Sequence, residues 1–249
     1  MLPTVWLKTG ILIIYGSSFD AENHKHNAIQ VVWPSGKTNC QLEGQELIGP
    51  LVINSQIEHK LHMESGWVLL IEPQCELGGQ LREYLAQQPA ITIPVESYLG
   101  TTPPKQGDNP TTLLAPLFSM LGINATYART TLANGITDKR IIKLLADLDH
   151  CLPGDCQKPI GWRADEVANK LALSESRFLH LFSEQMGIAW RPYLLWRRTI
   201  CAIGAITKEQ SATEAAHIAG FSDSAHLSRT FRSLFGMSIR EAKYLAKQD

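Results

Sequence analysis

Two stretches in the last third of this 249-residue chain repeat one pattern. EVANKLALSESRFLHLFSEQMG runs from Glu166 to Gly187, and EAAHIAGFSDSAHLSRTFRSLFG from Glu214 to Gly236. Glu166 pairs with Glu214, Ala168 with Ala216 and Ser174 with Ser222, each 48 positions apart. Past the turn, Phe178 pairs with Leu227, Phe182 with Phe231 and Gly187 with Gly236, each 49 apart. One extra residue at the second turn accounts for the change. A repeat this long constrains the fold far more than a short motif, because each copy must be the same supersecondary unit.

Each copy reads as two helices around a turn. In the second, Ser211 and Glu214 fit a capping box. Ala215, Ala216 and Ala219 keep the first helix thin, so that another can cross it closely. Gly220 suits a helix stop in the left-handed region. Ser222 or Ser224 can cap the next helix. Its Leu227, Phe231, Leu234 and Phe235 then form one buried stripe, which Gly236 ends. In the first copy Val167, Ala168 and Leu171 form the inner face of a short helix. Ser174 caps the second helix, Phe178, Phe182 and Met186 form its stripe, and Gly187 closes it.

From about Arg163 to Lys247 the chain resembles the DNA-binding domain of the AraC family of bacterial transcription regulators, most tellingly in AHIAGFSDSAHLSRTFRSLFG, Ala216 to Gly236. The resemblance implies two helix-turn-helix units joined by one long helix, here Arg191 to Ile206, and two reading helices about 34 Å apart, one turn of DNA. It places the base-contacting positions on Ser176, Leu179 and His180 in the first unit, and on Ser224, Ala225, Ser228 and Arg229 in the second. Arg232 also lies outside the apolar stripe. Arginine can donate two hydrogen bonds to one guanine edge, so Arg229 is the strongest candidate. Leu179 and Ala225 could touch only thymine methyls. The second unit is therefore expected to supply more of the sequence discrimination. The chain departs from the family pattern where a proline usually follows each closing glycine: Trp190, with Pro192 behind it, and Ile239 stand there.

Charge divides in the same sense. Residues 158–249 carry 13 Lys+Arg against 9 Asp+Glu, and residues 1–157 carry 10 against 15. A basic half on an acidic half fits phosphate binding by one domain only. Arg191, Arg197, Arg198, Lys208 and Arg232 are candidate phosphate contacts. Five cysteines without a CxxC pair read as a reduced, cytoplasmic protein. No segment reads as a signal peptide or a membrane span.

The expected fold class is α+β. In residues 1–100, apolar runs ending at Tyr15, Trp33, Asn54 and Glu72 alternate with turns, as in a small barrel or sandwich. Leu77–Gln87, Thr112–Leu121 and Thr137–Leu152 read as helices, Thr101–Pro110 as a loop and Pro153–Pro159 as a linker, leaving 160–249 for the helix-turn-helix domain. The last of those helices carries the stripe Ile141, Leu144, Leu145 and Leu148. It either pairs two subunits into a homodimer, as similar helices do in the family, or packs on the barrel.

The N-terminal half also resembles the cupin-like sensor barrel of AraC-family regulators, through HKHNAIQ (His24–Gln30), Gly49-Pro50 and Glu58-His59. On a strand, His24 and His26 point the same way. With Gln30 and His59 they are the candidate ligand-binding cluster. Metal-binding cupins add a carboxylate where Gln30 stands, and a neutral amide is a poor ligand for a hard or borderline cation. The reading is therefore contact with a small-molecule effector, without a metal or cofactor. Histidines satisfied structurally are the plain alternative. No nucleophile–base pattern argues for an enzyme. The expectation is a DNA-binding regulator whose partners are duplex DNA, an effector and, if it activates, RNA polymerase. A metal-dependent cupin enzyme and an interaction module that does not bind DNA are the alternatives.

Overall fold

A single strand, β7 (His59–Ile71), organises the N-terminal part of this computed structural model. The structure describes residues 4–94, 103–105, 107–123, 135–149 and 162–244. They fall into two units, residues 1–131 with 228–249, and residues 132–227.

In the first unit β7 pairs along one edge with β2 (Ile11–His24), from Ile11↔Ile71 to His24↔His59. Its other edge is shared by β3 (Ile29–Pro34) and β4 (Thr38–Leu42). Around these run β1 (Thr4–Lys8), β5 (Gln45–Leu47), β6 (Leu51–Ile53) and β8 (Ala90–Thr92), all antiparallel. Alternation assigns the two faces. Ile11, Ile13, Ile29, Val31, Trp33, Val52, Trp67, Leu69 and Ile71 point into one core. Leu77, Leu81 and Leu85 of α1 (Glu76–Leu85) enter the same core, with Leu117 and Phe118 of α3 (Ala115–Met120). Gln30, between Ile29 and Val31 and in register with Leu70 and Ile53, belongs to the other face.

All four apolar runs are strands. The second half of β2 and the first half of β7 are not legible as strands in the sequence, because GSSFDAENH and HKLHMES are largely polar. There Phe19 and Ala21 are buried while Asp20 and Glu22 are exposed. The expected helix at 112–121 is broken into α2 (Pro110–Leu113) and α3. Pro153–Pro159 lies outside the described residues.

The second unit is helical. It holds α4 (Lys139–Asp149), α5 (Ala164–Lys170), α6 (Glu175–Met186), α7 (Trp190–Thr207) and α8 (Ala212–Ile218). Its core joins Ile141, Leu144, Leu145 and Leu148 of α4 to Val167, Phe178, Phe182, Met186 and Trp190. The stripe on α4 is thus used inside this unit, neither left for a second subunit nor laid on the sheet. Trp190 lies edge-on to Phe178 and Phe182, at 5.3 and 4.9 Å between centroids. Arg197, buried in α7, reaches Asp149 at the end of α4 (2.7 Å) and the Tyr193 hydroxyl (3.2 Å). Cys40 and Cys75 are buried free thiols whose pKa burial pushes up to about 11 and about 12, so they are poor nucleophiles. Cys201 on α7 is disulfide-bonded, which corrects the reading of a reduced chain.

α9 (Ser224–Phe235) begins in the second unit and ends in the first, followed by α10 (Ile239–Tyr244).

Candidate nucleic-acid interface and histidine cluster

The first reading helix, α6, starts where the Ser174 hydroxyl accepts the Arg177 N–H (3.3 Å), and ends at Gly187, φ 65°. Ser176 and His180 are exposed, and His180 sits 3.8 Å from Glu184. Leu179 is only half exposed and packs against the helical core, so a groove-facing role for it is not supported by its placement.

α8 opens on the expected capping box. The Glu214 carboxylate accepts the Ser211 N–H (2.8 Å), and the Ser211 hydroxyl accepts the Glu214 N–H (3.2 Å). α9 is capped by neither expected serine. The Asp223 carboxylate accepts the His226 N–H at 2.6 Å. Asp223 is therefore the counterpart of Ser174, at an offset of 49, and the extra residue lies before the cap. In the first turn Ala172 takes the left-handed conformation (φ 54°) that Gly220 takes in the second (φ 79°). Ala225, Ser228, Arg229 and Arg232 are exposed on α9, and Ser224 is half-buried. Arg232 lies 3.4 Å from Glu241 of α10. Leu227, Phe231 and Phe235 are buried, as the stripe requires.

Among the candidate phosphate contacts, Arg191 and Lys208 are exposed, whereas Arg198 is half-buried. Arg197 is 5% exposed and paired with Asp149, so it is a structural ion pair, not a phosphate contact. Sequence reasoning missed a basic groove of about 600 Å³ between α4 and α5, lined by Lys139, Arg140, Lys143, Lys170 and Trp162. The spacing of Lys139 and Lys143 on one helix face is the available signal.

The histidine cluster forms, though not on one strand. His24 ends β2, His26 lies in the following loop, Gln30 is on β3 and His59 opens β7 opposite His24. All four side chains are buried. The His26 and His59 Nε2 atoms lie 3.0 and 3.3 Å from the Gln30 Oε1. Burial lowers the pKa of all three histidines, that of His26 to about 4 and of His59 to about 3. The unfolded chain protonates these rings near pH 6.5, whereas the folded chain resists until well below it. Stability from keeping them neutral is thus complete above about pH 6.5 and is lost as the pH falls toward about 3. In chelator, the urea midpoint of the β-rich unit is expected to be lower at about pH 5 than at about pH 7.5, reflecting a stability loss of roughly 2 kcal/mol for each of His26 and His59. Equal midpoints would contradict the assignment.

Residues 167–243 match the family described as "Helix-turn-helix domain". Over 103 residues the chain is 32% identical to the "Probable transcriptional regulator LumQ" of Photobacterium leiognathi, a match covering 41% of each chain. The chain therefore spans less than half the length of this relative. Over nearly its whole length it also shares a fold with ToxT of Vibrio cholerae. An apo crystal structure of a single-substitution ToxT variant from strain SCE256 is 16% identical, covers 96% of this chain and 99% of that one, and has a TM-score of 0.54. The structure from O395 is 12% identical, covers 97% and 100%, and scores 0.53. Within the chain, residues 167–243 are therefore a helix-turn-helix domain. At the two places where the sequence lacks the expected prolines, this domain has packing residues. Trp190 is 1% exposed and donates its indole N–H to the Trp162 carbonyl (3.3 Å), and Ile239 is buried at the start of α10.

Proposed function

We propose that this chain is a sequence-specific DNA-binding transcription regulator controlled by a small effector that contacts His24, His26, Gln30 and His59. The observation that carries the DNA-binding part is the duplicated unit with an exposed polar face on each second helix: Ser176 and His180 on α6, and Ser228, Arg229 and Arg232 on α9, beside the exposed Ala225. The effector would bind two arrangements of the chain with different affinity, which is the only way it can shift DNA binding. Such a protein acts on chromosomal DNA in the cytoplasm and is not an enzyme. If it activates, RNA polymerase is a further partner. A homodimer would need a surface other than the apolar stripe of α4.

The test is selection of random duplex DNA on the full chain, with Arg229→Ala and His180→Ala in parallel. The expected product is a site with two short blocks about one helical turn apart. Arg229→Ala relaxes one position by about 1–3 kcal/mol, and His180→Ala relaxes its block less. Equal relaxation by both variants would overturn the leading role given to the second unit. No enrichment at low salt, with or without candidate effectors, would overturn DNA reading itself.

A further inference from the structure

The three histidines are arranged as ligands of one ion. One ring nitrogen from each lies within 4.8 Å of those from the other two. Each ring is oriented in the same manner, its Nδ1–H donating to a backbone carbonyl two residues away: Glu22 for His24 (2.8 Å), Ala28 for His26 (3.0 Å) and Ile57 for His59 (2.9 Å). That bond fixes the tautomer, with the proton on Nδ1 and the lone pair on Nε2, as the outer-shell partners of metal-bound imidazoles do. The Nε2 atoms of His26 and His59 face the Gln30 Oε1, so acceptors meet acceptors. The Gln30 side-chain nitrogen is buried without a hydrogen-bond partner. A cation among these acceptors resolves the conflict without turning the amide. Beside the cluster in sequence, Asn23 and Glu58 line an open groove of about 680 Å³ with Glu43 and Glu46, a negative rim that would concentrate cations.

A second observation links this cluster to the helix-turn-helix domain. Gly236, which closes α9, accepts the Glu22 N–H at 2.9 Å. A Cβ at position 236 would collide with the Glu22 carbonyl oxygen and stand 2.8 Å from the His24 Nδ1. The carbonyl that orients His24 and the amide that holds the end of the second reading helix thus belong to one residue.

We propose that a divalent transition-metal ion binds the Nε2 atoms of His24, His26 and His59, and that its binding steadies the Glu22–Gly236 hydrogen bond, making the hold on the second reading helix metal-dependent. This rests on the reading of the cluster as the effector site and names the effector's chemical class. Three neutral imidazoles suit a borderline cation such as Zn²⁺ or Co²⁺ and leave a position for an outside donor.

The test uses the full chain stripped with chelator and titrated with Co²⁺, read by its visible absorption, with Zn²⁺ as competitor. One tightly bound Co²⁺ per chain is expected, displaced by Zn²⁺, and lost in both His59→Ala and His26→Gln with circular dichroism unchanged. Absence of stoichiometric binding, or its persistence in both variants, would overturn the site. Hydrogen exchange at the Glu22 amide reads the linkage without DNA. Zn²⁺ should slow it at least about fivefold in the parent chain, the lower end of ordinary coupling between sites. No slowing of exchange in a chain that binds Co²⁺ would overturn the link while leaving the site. Failure of DNA selection would affect neither readout, so the two readings fail separately.

Discussion

Trp190→Ala is expected to destabilise the helical unit by about 3–5 kcal/mol, the usual range for emptying a large aromatic site in a core. The indole is 1% exposed and meets Phe178, Phe182 and Tyr193, so little can collapse into the space it leaves. The loss should appear as a lower urea midpoint with an unchanged slope, since the surface exposed on unfolding hardly changes. Ile142, on the outer face of α4 and 37% exposed, serves as the comparison. Equal losses for Trp190→Ala and Ile142→Ala would show that Trp190 does not organise this core.

Asp149→Ala should cost about 3 kcal/mol, because it leaves the Arg197 guanidinium buried without its carboxylate. That value sits at the low end for a broken buried pair. The Asp149 side chain is one quarter exposed, and the Tyr193 hydroxyl still accepts from Arg197. Adding Arg197→Met removes the stranded charge and should restore most of the stability. If the double variant is no more stable than Asp149→Ala alone, the cost lies in packing between α4 and α7 and not in the charge. Both variants are read by chemical denaturation followed through helical circular dichroism.

Whatever local chemistry decides is legible in the sequence. The capping box at Ser211 and Glu214, the cap at Ser174, the closing glycines and the joining helix can be read from spacing, and the structure has them in place. Errors arise where distant segments decide. Leu179 counts as polar-face by period, yet it is half covered by the core that α4 helps to build. Arg197 looks like a surface charge until Asp149 arrives from a helix nearly fifty residues earlier. Asp223 is hidden because the repeat aligns through Ser222, one residue before the register changes. Spacing assigns His26 to a strand it does not join, and the cluster forms because β2 and β7 bring His24 opposite His59. No local signal announces that Gly236 rests against Glu22, since its place as a helix stop already explains the glycine.

The seating of α4 also bears on where this chain can be cut. Any truncation that starts downstream of Asp149 discards Ile141, Leu144, Leu145 and Leu148. It would strip one wall from the core that holds Val167, Phe178 and Phe182. A fragment of that kind would be sticky and loosely folded, whatever its affinity for DNA. A truncation that keeps this core intact must begin ahead of Lys139, so α4 is part of the scaffold of the first reading helix.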